Sequence, residues 1–218
     1  MARDDEVVGQ AAMHVRGVFE GESSGHDWWH VYRVWQSTLR IGQEEGADLF
    51  VVQLAALLHD IADWKFHGGD DAAGPTATRE WLETVNVAEE VVDHVCSIVR
   101  DISFKGSGVA TPMATLEGKV VQDADRLDAI GAVGVARAFA FGGHAGRAMH
   151  EPNLLPEAHQ TFEEYKRATG ATINHFYEKL LLLRDRMNTP TGRRLAEGRH
   201  AYMEGFLDRF FLEWEGRA

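Results

Sequence analysis

Apolar positions recur at three- and four-residue spacing through most of the chain, and two-residue alternation of the strand type is hard to find. This period predicts an all-α fold. A first helix is expected over Val7–Glu20, broken by Ser23-Ser24-Gly25, and a second over His26–Glu45. Asp48 is placed to cap a third helix from Leu49 to Asp63. That segment, LFVVQLAALLHDIADW, is apolar nearly all round, the pattern of a helix in the middle of a core. FHGGDDAAGP reads as a loop, followed by helices over 76–84 and 87–102. Asn86 with Glu89 three residues on resembles a capping box for the second of these. KGSGVATP is another loop, and a long helix is expected over 113–141. Residues 142–159 form an irregular stretch with several Gly and two Pro, long for a structureless connection and therefore a candidate functional loop. Helices over 159–187 and 191–215, separated at Pro190, close the chain, with Phe176, Leu180, Leu183, Phe206 and Phe210 on their core faces.

No repeat, low-complexity tract or linker divides the sequence, so one domain over residues 1–218 is expected. Composition changes the picture in one respect. Asp+Glu number 34 against 22 Lys+Arg, a net charge of -12 that repels polynucleotide backbones. A small phosphorylated ligand needs only local positive charge, which a bound cation supplies. The single cysteine, Cys96, rules out an intrachain disulfide. The acidic start MARDDEVVGQ lacks the pattern of a secretory leader, and no apolar run reaches the roughly 20 residues of a membrane span, so a cytoplasmic protein is expected.

Three clusters carry candidate chemistry. His59 and Asp60 end the most hydrophobic helix, where a carboxylate costs several kcal/mol unless it is compensated. Asp123, Asp125 and Asp128 lie in QDADRLDAIG among Val120, Val121, Ala124, Leu127 and Ile130, and their mutual repulsion is relieved by a cation or by arginines. His26, Asp27 and His30 sit among aromatics in GHDWWHVYRVW, where His26 and Asp27 serve equally well as site-lining or capping residues. Imidazole and carboxylate donors together suit Mn²⁺, Fe²⁺, Co²⁺, Ni²⁺ or Zn²⁺, and with water Mg²⁺.

The order His30, then His59-Asp60, then Asp125 resembles the H…HD…D signature of the HD superfamily, carried by HVYRV, LAALLHDIAD and ADRLDAIG. The resemblance implies one divalent cation, Mn²⁺ favoured, on those four residues. It also implies a helical metal-binding core over about 23–142 with a C-terminal helical extension over about 159–215. His67 and His94 alone lie between the HD pair and the last Asp, in contexts that do not match the second ligand set of two-metal relatives. From SGHDWWHVYRVW through ISFKG to the tail INHFYEKLLLLRDRMNTPTGRRLAEGRHAYMEGFLDRF, the chain is also similar to a bacterial subgroup of small HD hydrolases. That similarity implies a nucleotide pyrophosphohydrolase, cutting a nucleoside triphosphate to monophosphate and pyrophosphate.

Asp63, one helical turn after His59, is the candidate for positioning or deprotonating the attacking water. Lys65, Lys105, Arg126 and Lys179 are the candidate phosphate contacts, and Asp128 joins His26 and Asp27 as a candidate lining residue. A nucleotidase or phosphodiesterase with the same metal centre, a regulator that binds without turnover, and a two-iron oxygenase are the competing readings.

Overall fold

The computed structural model describes residues 2–21, 27–62, 72–167 and 170–218. Among them the regular structure is entirely helical. They fall into two compact units, Met1–Phe104 with Ala110–Asp125, and Lys105–Val109 with Arg126–Ala218.

The first unit is built around the helix predicted to be central. Helices α1 (Ala2–Val18), α2 (Trp28–Glu45) and α3 (Leu49–Leu58) are followed by α4 (Ala73–Thr84) and α5 (Glu89–Asp101). Helix α3 packs against α1, α2 and α5. Its Asp48 cap accepts hydrogen bonds from the Phe50 and Val51 amides, as the sequence predicts. Leu54, Leu57 and Leu58 have no solvent exposure, so truncating one to Ala would cost about 2–5 kcal/mol. Helix α2 is capped by Asp27, whose Oδ1 accepts from the His30 amide at 2.9 Å. Gly46, in the left-handed region at φ 76°, ends it.

The capping box expected at Asn86 is not what forms. Asn86 has φ 54° and lies past the C-terminus of α4. Its amide reaches the Glu83 carbonyl and the Val87 amide reaches that of Leu82, a closed helix terminus of the Schellman type. Helix α5 then starts after Ala88 without a side-chain cap. Asn tolerates the left-handed conformation, and here that property outweighs its value as an N-cap.

Helix α6 (Leu116–Asp128) opens with the Thr115 hydroxyl accepting from the Gly118 amide. The single helix expected over 113–141 is two. Gly131 takes φ 76°, and α7 (Gly131–His144) begins afresh there. A Cβ on Gly134 would stand 2.3 Å from the Ala129 carbonyl oxygen, so the corner needs glycine there as well. The apolar period runs on through the corner because both helices bury a face, and the break is therefore silent in the pattern.

In the second unit, α7 packs against α9 (Thr172–Glu178) and α10 (Pro190–Trp214). Phe139, Phe176 and Phe206 meet at centroid distances of 5.8–6.2 Å. The helix expected over 159–187 is replaced by α8 (Phe162–Arg167), α9, and two 3₁₀ turns at Leu180–Leu182 and Arg184–Arg186. The reason is visible in the hydrogen bonds. The amides of Thr172 and Ile173 are satisfied by the carbonyls of Ala148 and Met149, and the Asn174 side chain donates to the Leu154 carbonyl. The irregular stretch thus replaces the turn of helix that would have preceded α9. Helix α10 starts at Pro190, with the Thr189 hydroxyl accepting from the Gly192 amide. No helix is long and apolar enough to cross a membrane among the described residues.

Candidate metal centre

Three local features of the first unit bring His30, His59 and Asp60 together as one group, with Asp125 close to both histidines. Asp27 caps α2 so that His30 lies in its first turn, on the face shared with buried Val31, Val34, Thr38 and Ile41. Helix α3 stops at Leu58, and His59 and Asp60 follow in a turn closed by the Ile61 amide on the Leu58 carbonyl. Asp125 lies in the last turn of α6, after fully buried Val120, Val121 and Ala124.

The His30 Nε2 is 3.2 Å from the His59 Nε2, 3.3 Å from an oxygen of Asp60 and 3.6 Å from one of Asp125. The His59 Nε2 is 3.5 Å and 3.8 Å from the same two carboxylates. Both imidazoles are buried, while the Asp60 and Asp125 side chains keep 15% and 31% of their surface. The centre is therefore closed on the histidine side and reachable from the carboxylate side.

The donor set fits a divalent cation. The His59 Nδ1 lies 2.8 Å from the Ala56 carbonyl, which can only accept, so Nδ1 carries the proton and Nε2 turns a lone pair inward. Adjacent ligands about 2.1 Å from one ion stand about 3.0–3.4 Å apart, close to the separations found. Two carboxylate oxygens and two imidazole nitrogens at this range are the donor types a divalent cation takes.

The other candidate residues fare differently. His26, Asp63, Lys65 and His67 lie outside the described residues. Asp27 is occupied as the α2 cap. Asp128 is buried and accepts from Arg137 at 2.9 Å, a pairing within the second unit that straps the α6–α7 corner. Asp123 is fully buried. His94 sits 2.9 Å from the Thr115 hydroxyl and 3.8 Å from Glu117, on the amphipathic α5. Arg126 is buried and donates to the Arg186 carbonyl. Lys105 stands 5.7 Å over the Phe162 ring, and half-buried Lys179 ends α9.

Sequence reading missed two structural groups, one at the centre and one within the second unit. The Ala56 carbonyl sets the His59 tautomer, and its only signal is the three-residue helical offset. Arg186 donates to the carbonyls of Gly106, Ser107 and Val109, holding the KGSGV loop, and burial depresses the affinity of its guanidinium for the proton. A lone arginine in a charged tail gives no hint of that role.

Residues 28–130 match the HD domain, and the chain belongs to that family. HD domains bind divalent metals, and His30, His59 and Asp60 form the candidate metal-holding group among the described residues. The chain is 42% identical to the uncharacterized protein YpgQ of Bacillus subtilis over 196 residues, which is 88% of this chain and 86% of that protein. Among solved structures, an HD-superfamily hydrolase from Bacillus thuringiensis is 40% identical with a TM-score of 0.75, covering 97% of this chain and 98% of that one. A Lactobacillus plantarum protein is 37% identical with a TM-score of 0.86, covering 96% and 97%. YpgQ in complex with ADP is 38% identical with a TM-score of 0.75, covering 97% of this chain and all of that one. These relatives make the protein a hydrolase of the HD superfamily.

Proposed function

We propose that the protein hydrolyses ribo- or deoxyribonucleoside triphosphates to monophosphate and pyrophosphate, with one divalent cation, Mn²⁺ favoured, on His30, His59, Asp60 and Asp125. The observation that carries the metal reading is the approach of all four donors to within 3.8 Å of a histidine nitrogen. The nucleotide reading is supported by the similarity to a protein crystallised with ADP.

A divalent cation at this centre supplies a Lewis acid for phosphoryl oxygens and lowers the pKa of a coordinated water. The chain's own residues do the rest. Asp27 fixes the turn that presents His30. The Ala56 carbonyl holds the His59 Nδ1 proton, so His59 acts as a neutral donor. Asp60 and Asp125 bring two negative charges that hold a dication strongly, and their open side is where a phosphate enters. Asp63 takes or orients the proton of the attacking water. Lys65, Lys105, Arg126 and Lys179 are the proposed substrate contacts, each to be tested by removal of its charge.

Product analysis tests this reading. The purified protein would be incubated with Mn²⁺ or Mg²⁺ and a panel of nucleoside triphosphates, with pyrophosphate and free phosphate assayed separately. Metal-dependent pyrophosphate release that His59→Ala abolishes is the expected result. Free phosphate instead would replace the reaction by that of a nucleotidase on the same centre. No turnover would remove the substrate assignment.

A further inference from the structure

Helix α3 begins with half of a capping box. Its N-cap Asp48 accepts from the Phe50 and Val51 amides. The third helical position is Val51, which has no side-chain acceptor to return to the Asp48 amide. That amide donates instead to Glu117, 69 residues on in the first turn of α6, at 3.1 Å. The other Glu117 oxygen lies 3.8 Å from the His94 Nε2 on α5. The same nitrogen is 2.9 Å from the Thr115 hydroxyl that opens α6. One carboxylate thus ties the start of α6 to the start of α3, beside α5.

The tie is at one end of the helix whose last turn carries Asp125. Glu117, Val121 and Asp125 follow at four-residue spacing along one side of α6, and Val121 between them is fully buried. In the stretch between, a Cβ on Gly42 of α2 would stand 3.2 Å from Leu49, 3.5 Å from Val52 and 3.7 Å from Val120, so α2, α3 and α6 meet closely there. In the last turn, the Asp125 oxygen stands 3.6 Å and 3.8 Å from the two histidine nitrogens. A helix shifts along its neighbours as a stiff unit, about 1.5 Å per residue of register. Apolar contacts are non-directional, whereas a carboxylate on a helix-start amide has one geometry. The reach of Asp125 toward the histidines therefore depends on where Glu117 stops α6 along α3.

We propose that Glu117 is a positioning residue of the metal centre: by holding the Asp48 amide it sets the register of α6 and so places the Asp125 carboxylate against His30 and His59. The inference rests on the metal reading above and adds a remote support for one of its ligands.

The test titrates the full-length protein with Mn²⁺ and counts the free ion by electron paramagnetic resonance. Glu117→Ala is expected to weaken Mn²⁺ binding by about tenfold, the lower end of what groups behind metal ligands contribute. Beside Asp125→Ala the same change is expected to cost nothing further, because the ligand it places is gone. Glu117→Gln keeps the length and an acceptor oxygen, and should bind like the wild type. Glu117→Asp keeps the charge, draws the carboxylate back by one methylene, and should bind like Glu117→Ala, which it replaces if that variant fails to fold. The reverse order of Gln and Asp would assign the effect to long-range charge and overturn the inference. So would an unchanged Mn²⁺ affinity in Glu117→Ala and Glu117→Asp, or an equal further loss beside Asp125→Ala, the mark of a general structural role. If the wild-type protein binds no Mn²⁺, or Asp125→Ala binds it as tightly as the wild type, the metal reading itself falls and the support with it.

Discussion

His30 and His59 bring their Nε2 atoms to 3.2 Å across 29 residues of chain, with ring planes 70° apart. Two neutral imidazoles can share at most one proton at that contact. The His59 Nδ1 proton is already committed to the Ala56 carbonyl, so the His59 nitrogen offers a lone pair. Asp60 and Asp125 oxygens lie within 3.8 Å of these nitrogens, so imidazole and carboxylate donors of the kind a dication takes come together.

His59→Ala should therefore weaken divalent-cation affinity by at least about a hundredfold, since even groups behind the ligands contribute ten- to hundredfold. Elemental analysis of the dialysed variant checks it. A variant that retains stoichiometric metal would remove His59 from the ligand set.

Metal binding should also stabilise the fold. At a free cation concentration a hundred times its dissociation constant, the gain is about 2.7 kcal/mol. For a chain of this size that is a rise in Tm of about 5–10 °C over the chelated protein. Differential scanning calorimetry with EDTA and after Mn²⁺ is restored measures it, and superimposable melts would count against a built site.

The α6–α7 corner depends on Gly131. At φ 76° any other residue is strained, and a Cβ there would stand 2.9 Å from the Arg199 side chain. Gly131→Ala is expected to cost about 1–3 kcal/mol and to lower Tm by about 3–10 °C. A variant melting with the wild type would show that the corner relaxes without cost.

Cys96 supplies a pH-linked prediction. Burial raises its thiol above the ordinary value of 9.0, against a smaller opposing pull from Arg79. The folded protein thus holds this proton more tightly than the unfolded chain. Its contribution to stability is complete below the ordinary value and is lost as pH rises from there through the raised value of the folded protein. Reaction with Ellman's reagent at pH 8 should be at least about tenfold slower in the native protein than in denaturant. Rapid native labelling would contradict the buried placement.

Much of the site was legible in the sequence because its donors sit in sharply patterned surroundings. His59 and Asp60 are polar residues at the end of an all-apolar helix, and the structure buries that helix as expected. His30 was readable only together with them. Asp27 had two equally good readings, and the hydrogen bond to the His30 amide decides for capping. Asp128 looked like a lining residue because its sequence neighbours are apolar. Its partner Arg137 lies nine residues away, past a corner that periodicity cannot see.

The sequence by itself determined the helical class, the central α3, the cap at Asp48 and the order of the ligand-type residues. These are consequences of side-chain period and local hydrogen bonding, which act over one or two helical turns. The tertiary structure alone decided that Gly131 turns the chain between two helices, and that residues 145–160 replace part of a helix. It alone decided that donor atoms of His30, His59 and Asp60 meet, with an Asp125 oxygen 3.6 Å from the His30 Nε2. Those outcomes depend on which buried amides and charges find partners from distant segments, and that balance has no signature in a local window.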